Sequence, residues 1–215
     1  MSQLLFLFGS SFVVGLSGAM MPGPVLTAII SESTKRGFVA GPLITLGHGL
    51  PEVILVIAVA GGLGPWLEQD AVFGMLGLVG GALLVLMGGL TVRSSRTATL
   101  DTERDPGAAT PPLHGPVLAG AATTLSNPYW WLWWATIGLS YVAVSKSSGM
   151  PGLASFYCGH ILADLAWFSL VAAAVAAGRR ICPPAVYRWV LSLCGVALVG
   201  LGAWFIWAGG SRFAG

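Results

Sequence analysis

The sequence predicts an all-α membrane protein, six transmembrane helices arranged as two inverted three-helix repeats. Three observations lead to it. Of 215 residues, 55% are hydrophobic and 8% charged, whereas charged residues make up about a quarter of a soluble globular protein. The apolar residues gather in six blocks, at 4–31, 39–63, 71–92, 117–143, 152–177 and 187–208. Each is long enough to cross a hydrocarbon core of about 30 Å as a helix. The chain also repeats itself. Gly47-His48-Gly49-Leu50-Pro51-Glu52 and Gly159-His160-Ile161-Leu162-Ala163-Asp164 share the pattern Gly-His-x-Leu-x-acid, 112 residues apart. Pro22-Gly23-Pro24 and Ser126-Asn127-Pro128 form a second echo at an offset of 106, and the glycine-rich runs at 81–88 and 195–202 a third at 114. Three echoes in one order define a duplicated unit of three crossings. An odd number of crossings brings the second copy in from the opposite face, a recurrent build of secondary transporters.

The first block has no Lys or Arg ahead of its apolar stretch and outruns a signal-peptide core, so it reads as a span rather than a cleaved leader. Helices are the reading for every block, because barrel strands would show about 10 residues of alternating pattern. A lipid-exposed backbone must also satisfy its own hydrogen bonds. Pro22-Gly23-Pro24 breaks the first helix, since two prolines remove two donors and glycine adds freedom. The second block holds His48 and Glu52 near its middle. The third is glycine-dense at Gly74, Gly77, Gly81 and Gly88, as the sixth is at Gly195 and Gly202, which suits close helix packing. The stretch 93–115 contains Pro106, Pro111, Pro112 and mixed charges and reads as an irregular cytoplasmic linker. It leaves 1–92 and 116–215 as the two repeats. Asn127-Pro128 breaks the fourth block, which then carries Trp130, Trp131, Trp133 and Trp134. These are either interfacial anchors or an aromatic wall of a cavity. The fifth block holds His160 and Asp164 in its middle.

Basic residues set the orientation. Lys35 and Arg36 fall in the first loop, Arg93, Arg96 and Arg104 in the third, and Arg179, Arg180 and Arg188 in the fifth, against only Lys146 and Arg212 elsewhere. The positive-inside rule then puts odd loops in the cytoplasm and both termini outside. Cys158, Cys182 and Cys194 form no Cys-x-x-Cys pair and read as packing residues.

Glu52 and Asp164 are the two acids deep inside spans. A charge there costs several kcal/mol, so such acids face a cavity or a partner and mark a pathway. Each has a histidine at i−4, on the same helix face. Such a pair can exchange a proton near neutral pH, with a purely structural His–carboxylate pair as the bland counterpart. The freed backbone groups at the two breaks survive only beside protein or a watery cavity. Two broken helices and two acids suit a zwitterion, dipole ends for its carboxylate and the acids for its ammonium.

These residues resemble the LysE/RhtB superfamily of amino-acid exporters over nearly the whole chain. The resemblance rests on Pro22-Gly23-Pro24 in the first span, on Gly37, Gly41, Gly47, Glu52 and Gly62-Leu63 in and around the second, and on Asn127-Pro128 in the fourth. It implies a LysE-type translocator in a prokaryotic plasma (inner) membrane, exporting amino acids or similar metabolites against protons. Val25 stands where many members have Asn, Tyr129 where many have a basic residue, and His48 and His160 lie outside the pattern.

The expected binding and coupling residues are therefore Glu52, Asp164, His48, His160, Pro22, Gly23, Pro24, Asn127, Pro128 and Trp131. The rival within transport is a divalent metal-cation exporter in which the two imidazoles and two carboxylates converge on the ion. A thiol–disulfide conductor needs cysteines beside the proline breaks, and a scaffold has no use for midplane acids. No nucleophile–base arrangement is legible, so neither an enzyme nor a cofactor is expected. Expected partners are the bilayer, a small-molecule substrate and protons. A homodimer is compatible with the glycine seams, and no nucleic acid is expected.

Overall fold

The computed structural model describes residues 2–67, 69–97, 114–178 and 183–212. The proline-rich middle of the linker (with Arg104, Pro106, Pro111 and Pro112), together with Arg179, Arg180 and Cys182, lies outside the described residues. Regular structure among the described residues is helical throughout. In chain order the helices are α1 (Ser2–Ala19), α2 (Pro24–Arg36), α3 (Ala40–Ala58), α4 (Gly64–Leu67), α5 (Asp70–Ser95), α6 (His114–Leu125), α7 (Pro128–Trp133), α8 (Leu139–Lys146), α9 (Gly149–Gly178) and α10 (Pro184–Ser211). A 3₁₀ turn at Gly37–Val39 joins α2 to α3, and π turns at Val59–Leu63 and Trp134–Gly138 join α3 to α4 and α7 to α8.

Both expected breaks are present. α1 stops at Ala19 and α2 restarts with Pro24 in its first turn, behind an extended Gly23. α6 stops at Leu125, and Asn127 caps α7 by accepting the Tyr129 amide at 3.1 Å, with Pro128 in the first turn. Each proline sits where its missing N–H costs least. Six spans were expected, the first and fourth of them broken. Among the described residues, five helical stretches are long and apolar enough to cross a membrane: Ser2–Ala19, Pro24–Leu63, Asp70–Ser95, Gly149–Gly178 and Arg188–Ser211. The fourth block is cut by Asn127-Pro128 and the π turn into helices of 12, 6 and 8 residues. Pro51, by contrast, lies inside α3 without ending it.

The polarity of the molecule is that of a membrane protein. Leu5, Phe6, Ile54, Ile57, Leu86 and Leu193 lie on the outside, while Ser11, Thr45, His48, Glu52, Thr124, His160 and Asp164 are buried. In a hydrocarbon solvent, apolar side chains lose nothing by facing out, and polar groups must find partners within. This is a multi-pass membrane protein.

Packing follows the sequence echo. α1 lies along α9, α6 lies along α3, and α5 lies along α10. Glycine permits the first two approaches at matching positions. A Cβ on Gly47 of α3 would strike the Val117 carbonyl of α6, and one on Gly159 of α9 would strike the Phe8 carbonyl and the Ser11 hydroxyl of α1. Across the third seam, a Cβ on Gly81 would sit 2.7 Å from the Gly202 oxygen and one on Gly88 2.6 Å from the Gly195 oxygen. The glycines of the third and sixth blocks thus face each other within one chain.

Two apolar clusters bracket the middle of α3 and α9. Leu55, Val59 and Phe156 belong to one, Ile44, Phe168 and Ala172 to the other. On α3 the 48–52 segment falls between them, and on α9 the 160–164 segment does.

Candidate functional site

His48 and Glu52 stand one turn apart on α3, His160 and Asp164 one turn apart on α9, and the packing of the two helices turns both pairs inward. The four side chains are 6%, 1%, 3% and 2% exposed respectively. The Glu52 Oε1 atom lies 3.1 Å from Nε2 of His48 and 3.1 Å from Nε2 of His160. The Asp164 Oδ2 atom lies 3.7 Å and 3.6 Å from the same two nitrogens. The sequence echo has become a spatial one.

Two further donors meet Glu52. The Trp130 and Trp134 indole N–H groups donate to its Oε1 at 3.0 and 3.3 Å. Trp133 stacks on His160 with ring centroids 4.7 Å apart, and Phe168 meets His48 edge-on at 5.4 Å. Glu52 Oε2 and Asp164 Oδ2 are buried with no hydrogen-bond partner among the described residues.

Thr124 fixes the His48 ring. Its hydroxyl donates to the Gly120 carbonyl at 2.7 Å and lies 2.7 Å from His48 Nδ1. The hydroxyl proton being used on Gly120, Nδ1–H is the donor to Thr124, which leaves the Nε2 lone pair of a neutral ring facing the Glu52 oxygen. Two lone pairs at 3.1 Å repel, so a positive charge belongs between them.

The breaks reach this site. A Cβ on Gly23 would lie 3.4 Å from the Asn127 amide nitrogen. Gly23, Val25, Leu26, Asn127 and Tyr129 line a cavity together with Trp130, Trp133, Trp134, the two acids and the two histidines. Its volume is about 40 Å³, enough for a few water molecules and too small for an amino acid. This is a closed conformation.

Of the residues expected from sequence, Glu52, Asp164, His48, His160, Gly23 and Asn127 come together. Pro22, Pro24 and Pro128 shape the breaks without lining the cavity, Pro128 packing instead against Gly80 of α5. Trp131 is corrected. It points away, donating to the Leu125 carbonyl at 3.0 Å, because it lies one residue along the helix from Trp130. Trp130 and Trp134 take the place expected of it. Thr124 was not legible as part of the site, since its contact with His48 exists only once α6 packs on α3.

The profile of the LysE type translocators matches residues 16–209. Chemotactic transduction protein ChpE of Pseudomonas aeruginosa is 28% identical over 201 residues, covering 92% of this chain and 96% of that protein. No solved structure matches the chain.

Proposed function

This chain belongs to the LysE type translocator family, and on that premise we propose that it exports amino acids or related small amines in exchange for protons. The observation behind the reading is the buried convergence of two mid-helix acids and their histidines beside two helix breaks. With no cargo, a proton sits between His48 and Glu52, where the facing lone pairs require positive charge. Cargo ammonium takes its place on Glu52 and Asp164. The cargo carboxylate lies at the N-terminus of α2, whose first amides have no acceptor within the helix. The apolar clusters on either side of the site act as the two gates. Opening one at a time exposes the site to one face of the membrane, as alternating access requires.

In this reading each broken segment, α1–α2 and α6–α8, crosses the membrane once. With α3, α5, α9 and α10 that makes six crossings, the halves at 1–92 and 116–215 being inverted about the linker 93–115. The matched packing of α1 on α9 and of α6 on α3 supports it. So does a run of contacts at one end of the bundle. Ser155 bonds the Leu4 carbonyl, Lys146 the Ala60 carbonyl, and Arg212 pairs with Asp70 at 2.7 Å. Lys35 and Arg36 mark the opposite, cytoplasmic end, which puts both termini outside a prokaryotic plasma membrane.

Thermal unfolding of the detergent-purified chain against a panel of amino acids and small amines tests the cargo class, since a ligand selective for the native state raises the melting temperature with concentration. The expected result is a shift with one amino acid or amine that disappears in Glu52→Gln. A shift that persists unchanged in Glu52→Gln would place the cargo elsewhere.

A further inference from the structure

The spacing of the four inward side chains is informative in itself. An ammonium held by four acceptors at about 2.8 Å spreads those acceptors about 4.6 Å apart, the edge of a tetrahedron of that radius. A tetrahedral divalent ion bound at about 2.0–2.2 Å gathers its ligands to about 3.4 Å. Here the four imidazole-to-carboxylate separations are 3.1, 3.7, 3.1 and 3.6 Å. One ligand atom each from His48, Glu52 and Asp164 lie within 4.8 Å of one another. Those three ligand atoms are within reach of one ion, and His160 Nε2, outside that mutual group, stands 3.1 Å from the Glu52 carboxylate.

We propose that the closed conformation binds one divalent transition-metal ion through His48 Nε2, Glu52 and Asp164, with water in the open position and His160 beside it. Charge agrees with geometry. Two carboxylates and a dication sum to zero, the arrangement a low-dielectric membrane interior favours. One imidazole, two carboxylates and a water are also ligands that zinc-like ions accept. The His48 ring is already in the ligand tautomer, because Thr124 holds Nδ1–H and leaves the Nε2 lone pair directed at the cluster. Such an outer partner is what orients metal-binding histidines. Asp164 Oδ2, buried without a hydrogen-bond partner, is free to take the ion, and the unpartnered Glu52 Oε2 gives that carboxylate a second oxygen for it. The Trp130 and Trp134 N–H groups steady the Glu52 carboxylate while it binds. An ion that fits only the closed arrangement shifts the population toward it and so holds the carrier shut. This proposal does not depend on the identity of the cargo.

Cobalt(II) titrated into the detergent-purified full chain provides the test. A four-coordinate nitrogen–oxygen site gives intense visible d–d bands, and aqueous Co²⁺ gives weak ones. The expected result is intense bands that saturate at one ion per chain, collapse on addition of Zn²⁺ and are absent in His48→Gln and Asp164→Asn. Thr124→Val should keep the bands but weaken binding roughly 10–100-fold, the usual effect of losing an outer partner. X-ray absorption of the zinc-loaded wild-type chain covers the case in which a variant fails to fold. It should show four nitrogen and oxygen neighbours at about 2.0–2.2 Å. Weak bands alone in the wild type, bands retained in both His48→Gln and Asp164→Asn, or a sulfur neighbour at about 2.3 Å would overturn the assignment.

Discussion

At the scale of single residues, Glu52 is crowded and Asp164 is not. Four nitrogens approach one oxygen of Glu52 within 3.3 Å, while the nearest nitrogens to Asp164 Oδ2 are at 3.6 and 3.7 Å. The duplicated sequence therefore yields two unequal carboxylates. Glu52→Gln keeps an oxygen for the two indoles and loses only the charge. Asp164→Asn loses the charge where no indole donates. Both variants should fold with the wild-type elution profile and show only background cargo efflux from proteoliposomes. Normal efflux in both would end the coupling role assigned to these acids. The acids and histidines were legible in the sequence because polarity is conspicuous inside an apolar block. The inward face of the tryptophans is helical in its spacing, Trp130, Trp133 and Trp134 falling at i, i+3 and i+4, but their bond to Glu52 was not legible, because it exists only once this segment packs on α3.

At the scale of helices, the argument turns on close approach. α3 meets α6 at Gly47, and α9 meets α1 at Gly159. Alanine at either position should destabilise the chain by about 1–3 kcal/mol, the usual cost of overpacking a tight contact. Gly9→Ala serves as the matched control, since nothing lies within 4 Å of its added methyl. It should be neutral or slightly stabilising, alanine being the better helix former. Thermal unfolding of the three variants in one detergent checks the contrast, and equal melting temperatures would refute it. The breaks at Pro22-Gly23-Pro24 and Asn127-Pro128 were readable from proline chemistry. The turn at Val59–Leu63, with Gly62 at φ +117°, was not. Nothing in Gly61-Gly62 distinguishes a kink from the seam-forming glycines at 81 and 88, since the difference lies in what packs against them.

At the scale of the whole molecule, α5 and α10 spend their glycine seam on each other. A homodimer therefore draws no support from that seam. The orientation can be settled in a background where Cys158, Cys182 and Cys194 are replaced by alanine. Gln3→Cys should react with a membrane-impermeant maleimide on intact cells, and Ser94→Cys only after permeabilisation. The reverse pattern would invert the molecule in the membrane. Helical class was legible because the apolar blocks are long and lack the alternation of barrel strands. The further division of the fourth block at Trp134–Gly138 was not, because no proline or glycine pair marks that π turn.

The indole bonds to Glu52 have one more consequence, optical rather than energetic. An indole whose N–H points at a carboxylate emits differently when that oxygen is neutralised or taken by another partner. Two of the nine tryptophans make that bond, and a third stacks on the histidine beside it. On the proposed function, loading of the site should change the intrinsic fluorescence, so the chain would report its own occupancy without a dye.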